Sequence, residues 1–121
     1  MKKKILLVDD EPDILTVFKT ILENNDYQVI TARDGIGGLK KAVEGKPDLI
    51  LLDVRMPNKD GLETLRELKQ NELTERIPVI MLTVSIGQPS MPEFLEFGAK
   101  DYLFKMCDTP TLLQYIKRYI L

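Results

Sequence analysis

Five short, predominantly apolar runs recur along this chain, each separated from the next by a stretch with helical periodicity. They are "KILLV" (4–8), "YQVITA" (27–32), "DLILL" (48–52), "PVIML" (78–82) and "DYLF" (101–104). Runs of this length suit strands. Because they are largely apolar and do not alternate regularly with polar residues, both of their faces should be buried. That is the property of a parallel sheet covered by helices on both sides. The intervening stretches supply those helices. Pro12 opens the first, with Ile14, Phe18, Ile21 and Leu22 on one face. Asp34 caps the second, with Ile36, Leu39 and Val43 inward, and Gly37 and Gly38 weaken it. Asp60 and Glu63 have capping-box spacing at the head of "DGLETLRELKQ" (60–70), which turns Leu62, Leu65 and Leu68 inward. In "VSIGQPSMPEFLEFGAK", Gly87 and Pro89 delay the helix, so it should run only from about Met91 to Phe97. Residues 84–90 are then expected to form a mobile loop beside Thr83. "TPTLLQYIKRYIL" (109–121) is the last helix, with Pro110 in its first turn. The expected fold is α/β: a doubly wound five-stranded parallel sheet in the order 2-1-3-4-5, helices on both faces, and one domain over 1–121.

The bulk properties narrow the function. A length of 121 residues suits a single core. A formal net charge of -2 argues against direct nucleic acid binding or attachment to an acidic membrane surface. The run after Lys2, Lys3 and Lys4 is too short for a signal peptide, and no window approaches a membrane span. A lone cysteine, Cys107, fits a reducing, cytoplasmic setting. With no histidine in the chain, any metal here must be held by oxygen.

In an open parallel sheet, ligands bind outside the carboxyl ends of the strands. Asp9, Asp10 and Glu11 follow the first strand, Asp53 the third, Thr83 the fourth and Lys105 the fifth. In the order 2-1-3-4-5 those four strands are neighbours. Each residue alone has an ordinary explanation: a helix cap for Asp10 or Glu11, a strand-end cap for Asp53, a backbone bond for Thr83, a solvated charge for Lys105. Together, on adjacent strands at one end, they describe a site. Carboxylates this close repel unless a cation sits among them. An all-oxygen donor set favours a hard cation such as Mg²⁺. A carboxylate beside such a cation, a lysine and a hydroxyl are the parts needed for phosphoryl transfer onto the carboxylate.

The segments "ILLVDDEPDI", "DLILLDVRMPNKDG", "PVIMLT" and "GAKDYLFK" make the chain resemble, over nearly its whole length, the receiver domain of two-component response regulators. The resemblance implies the flavodoxin-like strand order and a phosphorylation-dependent signalling switch. Asp53 would accept a phosphoryl group from a phosphohistidine of a sensor histidine kinase or a histidine phosphotransfer protein. Mg²⁺ would be held by Asp10, Asp53 and the backbone carbonyl of Arg55, with Asp9 acting through water. Thr83 would be the switch hydroxyl, Tyr102 the rotating aromatic and Lys105 the phosphoryl-binding lysine. The output would go to a downstream protein or a fused effector domain, and the resemblance allows a phosphorylation-dependent dimer. Such a domain is not an enzyme, since it promotes only its own phosphorylation and dephosphorylation. Three residues depart from the family pattern. Val84 replaces a small residue, which should narrow access to Asp53. Arg55 should lie over the phosphoryl group and slow attack by water. Met106 replaces a proline, so the 105–106 bond should be trans or else a strained cis, which leaves the aim of Lys105 open.

Three rivals meet specific residues. A flavodoxin-type cofactor binder needs a neutral glycine-rich loop, and "DDEPD" would repel a phosphate. A hydrolase of the haloacid dehalogenase type needs a second aspartate where Arg55 stands. A receiver-like interaction module working without phosphorylation would not need the full residue set, although Met106 and Val84 are compatible with it.

Overall fold

The computed structural model describes residues 2–56, 59–84 and 91–120. Its strands are β1 (Lys4–Val8), β2 (Gln28–Ala32), β3 (Leu49–Asp53), β4 (Val79–Thr83) and β5 (Asp101–Phe104). They alternate with α1 (Pro12–Glu23), α2 (Gly35–Gly45), α3 (Gly61–Gln70), α4 (Met91–Glu96) and α5 (Thr109–Tyr119). All strand pairs are parallel, in the order β2-β1-β3-β4-β5.

Both faces of the central strands β1, β3 and β4 are buried, which explains their apolar runs, while the edge strands β2 and β5 are more exposed. Ile5, Leu7, Leu49, Leu51, Ile80 and Leu82 point to one side, where Phe18 and Leu22 of α1 and Leu112 and Ile116 of α5 cover them. Leu6, Val8, Ile50, Leu52, Val79 and Met81 point to the other, under Ala42, Leu65, Leu68 and Phe94. The period-2 alternation of strand side chains splits each run between the two cores.

Helix α2 packs differently from its sequence expectation. Ile36, expected inward, is 61% exposed, while Leu39 and Val43 are only half-buried. The buried face is Gly35, Gly38 and Ala42. A Cβ at Gly38 would lie 3.0 Å from the Val8 side chain, so the glycine lets the helix backbone approach β1. The helix gives up about 1 kcal/mol of intrinsic propensity there in exchange for close packing. Asp34 caps α2 as expected, accepting from the Gly37 N–H at 2.7 Å.

Helix α4 begins at Met91 and spans six residues, as the late start required. Of the loop expected over residues 84–90, only Val84 falls among the described residues. Helix α5 ends at Tyr119, short of the expected Leu121, because Ile120 turns extended with φ -139°. Among the described residues no helix is long and apolar enough to cross a membrane.

Candidate functional site

The sheet delivers its polar residues to one end by continuing its ladder one step past the strands. The Asp9 N–H donates to the Ala32 carbonyl at 3.0 Å, Val54 to Leu82 at 3.0 Å, and Lys105 to Thr83 at 2.8 Å. Asp53 is the last residue of β3, in register with Leu82 of β4. Just beyond it, Met56 is buried in the core on the α3 side, and α3 starts directly under the site. A Cβ on Gly61 would stand 2.3 Å from the Asp53 carbonyl oxygen, so only glycine fits there. Asp60 holds that helix start by accepting from the Glu63 N–H at 2.9 Å.

The geometry joins the residues that the sequence singled out. Asp9, Asp53, Thr83 and Lys105 are all buried, and Asp10 is half-buried. The Lys105 ammonium lies 2.8 Å from Asp9 Oδ2, 3.1 Å from Asp53 Oδ1 and 3.2 Å from Glu11 Oε1. Its aim does not need a proline at 106. No cis peptide bond occurs among the described residues, so the 105–106 bond is trans, and Met106 is 73% exposed. Asp53 Oδ1 also accepts from the Arg55 N–H at 3.3 Å. Asp53 Oδ2 is buried with no hydrogen-bond partner. Asp9 Oδ2 likewise lacks an aligned donor, but it faces the Lys105 ammonium, so Asp53 Oδ2 is the oxygen left wanting charge.

Burial and the Asp9 carboxylate push Asp53 up to about 7, against the pull of Lys105 and the Arg55 N–H. For Lys105, burial works downward, but the contacts to Asp9 and Asp53 outweigh it and hold the ammonium above the ordinary lysine value. One lysine therefore does not neutralise the site. Ligand oxygens of Asp9, Asp10 and Asp53 all come within 4.8 Å of one another. Three convergent carboxylates, one with an unpartnered buried oxygen, fit a hard divalent cation.

Above this floor opens a cleft of about 240 Å³, lined by Asp53, Thr83 and Lys105 with Arg55 and Val84 among its walls. Arg55 is exposed, and Val84 is 54% exposed. Thr83 also lines a second cavity of about 330 Å³ that contains Tyr102, Leu103 and Phe104 at the edge strand β5. The half-buried Tyr102 thus shares a boundary with the residue that borders the acidic cleft. Two features were not anticipated. One is the contact of Glu11 with Lys105. The other is the tight fit of Gly61, which only the spacing "DVRMPNKDG" hinted at.

The model of the response regulator receiver domain family matches residues 5–117. The alkaline phosphatase synthesis transcriptional regulatory protein PhoP of Bacillus subtilis (strain 168) is 48% identical over 105 residues, covering 87% of this chain and 43% of that protein. Protein PilH of Pseudomonas aeruginosa is 36% identical over 113 residues, covering 93% of each chain. The receiver domain of a Pseudomonas aeruginosa PAO1 sensor histidine kinase, solved with a magnesium ion in its active-site cleft, superposes with a TM-score of 0.92. That pair is 34% identical over 99% of this chain and 98% of the other. The chain spans half or less of the PhoP protein and of the response regulator ArlR of Staphylococcus saprophyticus. It belongs to the response regulator receiver domain family, whose members are phosphorylation-dependent signalling switches.

Proposed function

We propose that Asp53 is the phosphoacceptor, taking a phosphoryl group from a phosphohistidine of a sensor histidine kinase or a histidine phosphotransfer protein. An Asp53 carboxylate oxygen forms the new bond to phosphorus. The P–N bond to the donor imidazole breaks, and its electron pair stays on the ring nitrogen. Lys105 neutralises and orients a phosphoryl oxygen, and the Thr83 hydroxyl donates to another. Asp10, Asp53 and the Arg55 backbone carbonyl are the ligands proposed for Mg²⁺, with Asp9 acting through water. Bound Mg²⁺ supplies charge neutralisation for the transferring oxygens and for the carboxylates around them. Arg55, exposed at the cleft wall, shields the product from water.

The observation that carries this reading is the buried, unpartnered Asp53 Oδ2 on the floor of an open cleft, with Lys105 3.1 Å from the other oxygen. Thr83 borders both the cleft and the Tyr102 cavity. When Thr83 moves toward a phosphoryl oxygen, Tyr102 moves into the vacated space, and the surface around β4 and β5 changes for a downstream protein, a fused effector domain or a second copy. The chain catalyses only its own phosphorylation and dephosphorylation, in the cytoplasm. Incubation with phosphoramidate and Mg²⁺ tests the reading by intact-mass spectrometry. One phosphoryl group should appear on the wild type and none on Asp53→Asn. An unmodified wild type, or a modified Asp53→Asn protein, overturns it.

A further inference from the structure

We infer that Glu11 is a positioning residue that competes with the incoming phosphoryl group for Lys105 and so slows uptake from free, doubly charged phosphodonors. This rests on the reading of Asp53 as phosphoacceptor. An ammonium has three N–H donors and no more. At Lys105 three carboxylate oxygens crowd the ammonium within ion-pair distance, Asp9 at 2.8 Å, Asp53 at 3.1 Å and Glu11 at 3.2 Å, and Glu11 is the one aligned to accept a hydrogen bond. A phosphoryl oxygen that reaches Lys105 must displace one of the three. The Asp9 and Asp53 side chains are 0% and 5% exposed, so releasing either would strand a buried charge. The Glu11 side chain is 55% exposed and swings into water at little cost. Glu11 is therefore the partner that yields.

The position has no competing structural use for that side chain. Glu11 is the residue at the cap of α1, yet its side chain makes no capping hydrogen bond. Glutamate is also not among the side chains that cap helices well. Its backbone N–H donates to Asp9 Oδ1 at 2.9 Å, which fixes the main chain and leaves the carboxylate directed at Lys105. The same carboxylate adds negative charge to the lining of the cleft, next to Asp10. A small donor carrying its own charge meets that field on approach.

The test compares wild type with Glu11→Gln, which keeps size and backbone and removes only the charge. Phosphorylation rates are read by mass spectrometry at saturating Mg²⁺ with two donors. Acetyl phosphate is doubly charged near neutral pH and phosphoramidate singly charged. In each transfer the Asp53 oxygen–phosphorus bond forms as the donor's P–O or P–N bond breaks, and acetate or ammonia leaves with the electron pair. Glu11→Gln should take up phosphoryl from acetyl phosphate about two- to five-fold faster, the range of one exposed ion pair. The gain should be smaller with phosphoramidate and should shrink in high salt. Glu11→Ala should behave in the same way, which covers a folding defect peculiar to one variant. Equal rates for wild type and both variants, or a gain independent of donor charge and salt, overturn the proposal. A wild type that takes up nothing from either donor instead overturns the phosphoacceptor reading on which it rests.

Discussion

Replacing Asp53 with asparagine should stabilise the metal-free protein, and the gain should depend on pH in a direction fixed by the site. The unfolded carboxyl loses its proton near 3.8, the ordinary aspartate value, whereas the folded one keeps it until about 7. Between those values the native state binds more protons than the unfolded state, so stability falls as pH rises. Below about 4 both states are protonated and Asp53 costs nothing. Above about 7 both are ionised and the full penalty stands. The difference between 3.8 and about 7 corresponds to roughly 4 kcal/mol as a ceiling. Asparagine cannot ionise and escapes this penalty. Urea unfolding of both proteins from pH 4 to pH 8, with chelator present, reads the difference directly. Asp53→Asn should gain stability over wild type through this window and level off above pH 7. Adding Mg²⁺ at pH 8 should close the gap by stabilising the wild type. An Asp53→Asn protein no more stable than wild type at pH 8, or a gap independent of pH, would refute the reasoning about this buried carboxylate.

Other substitutions separate the parts of the site. Asp10→Asn should weaken Mg²⁺ binding at least about ten-fold, measured by titration at constant ionic strength, since it removes a proposed ligand charge. Arg55→Ala should shorten the life of the phosphorylated state by a factor of a few, because it uncovers the phosphoryl group to water. A slower or unchanged decay, followed by mass spectrometry, removes Arg55 from that role. Gly61→Ala places a Cβ 2.3 Å from the Asp53 carbonyl oxygen. Helix propensity alone would favour alanine by about 1 kcal/mol, but this contact is with backbone and cannot relax easily. The substitution should cost at least about 2 kcal/mol in denaturant unfolding.

The sheet and the floor of the site were legible because both follow from chain-local rules. A fully buried strand shows as an unbroken apolar run, so a polar residue at its carboxyl end stands out. Asp53 and Lys105 were found in this way and meet at 3.1 Å. Gly87 and Pro89 placed the start of α4 at about Met91, where it lies. What was not legible depends on contacts between elements. Ile36 has the helical spacing of a core residue, but Gly35 and Gly38 bring α2 in on another face and leave Ile36 exposed. A glycine read along one helix looks like a weakness; against Val8 it is a fit. The contact of Glu11 with Lys105 joins residues 94 apart, and no local pattern announces it.

The central claim concerns one oxygen on one side chain. Borohydride reduces an aspartyl phosphate to homoserine, which marks the acceptor permanently in the chain. After incubation with phosphoramidate and Mg²⁺, followed by reduction and peptide mapping, homoserine should appear at position 53 and nowhere else. Homoserine at position 9 or 10, or a phosphoryl group that survives reduction on Thr83 or another hydroxyl, would contradict the account.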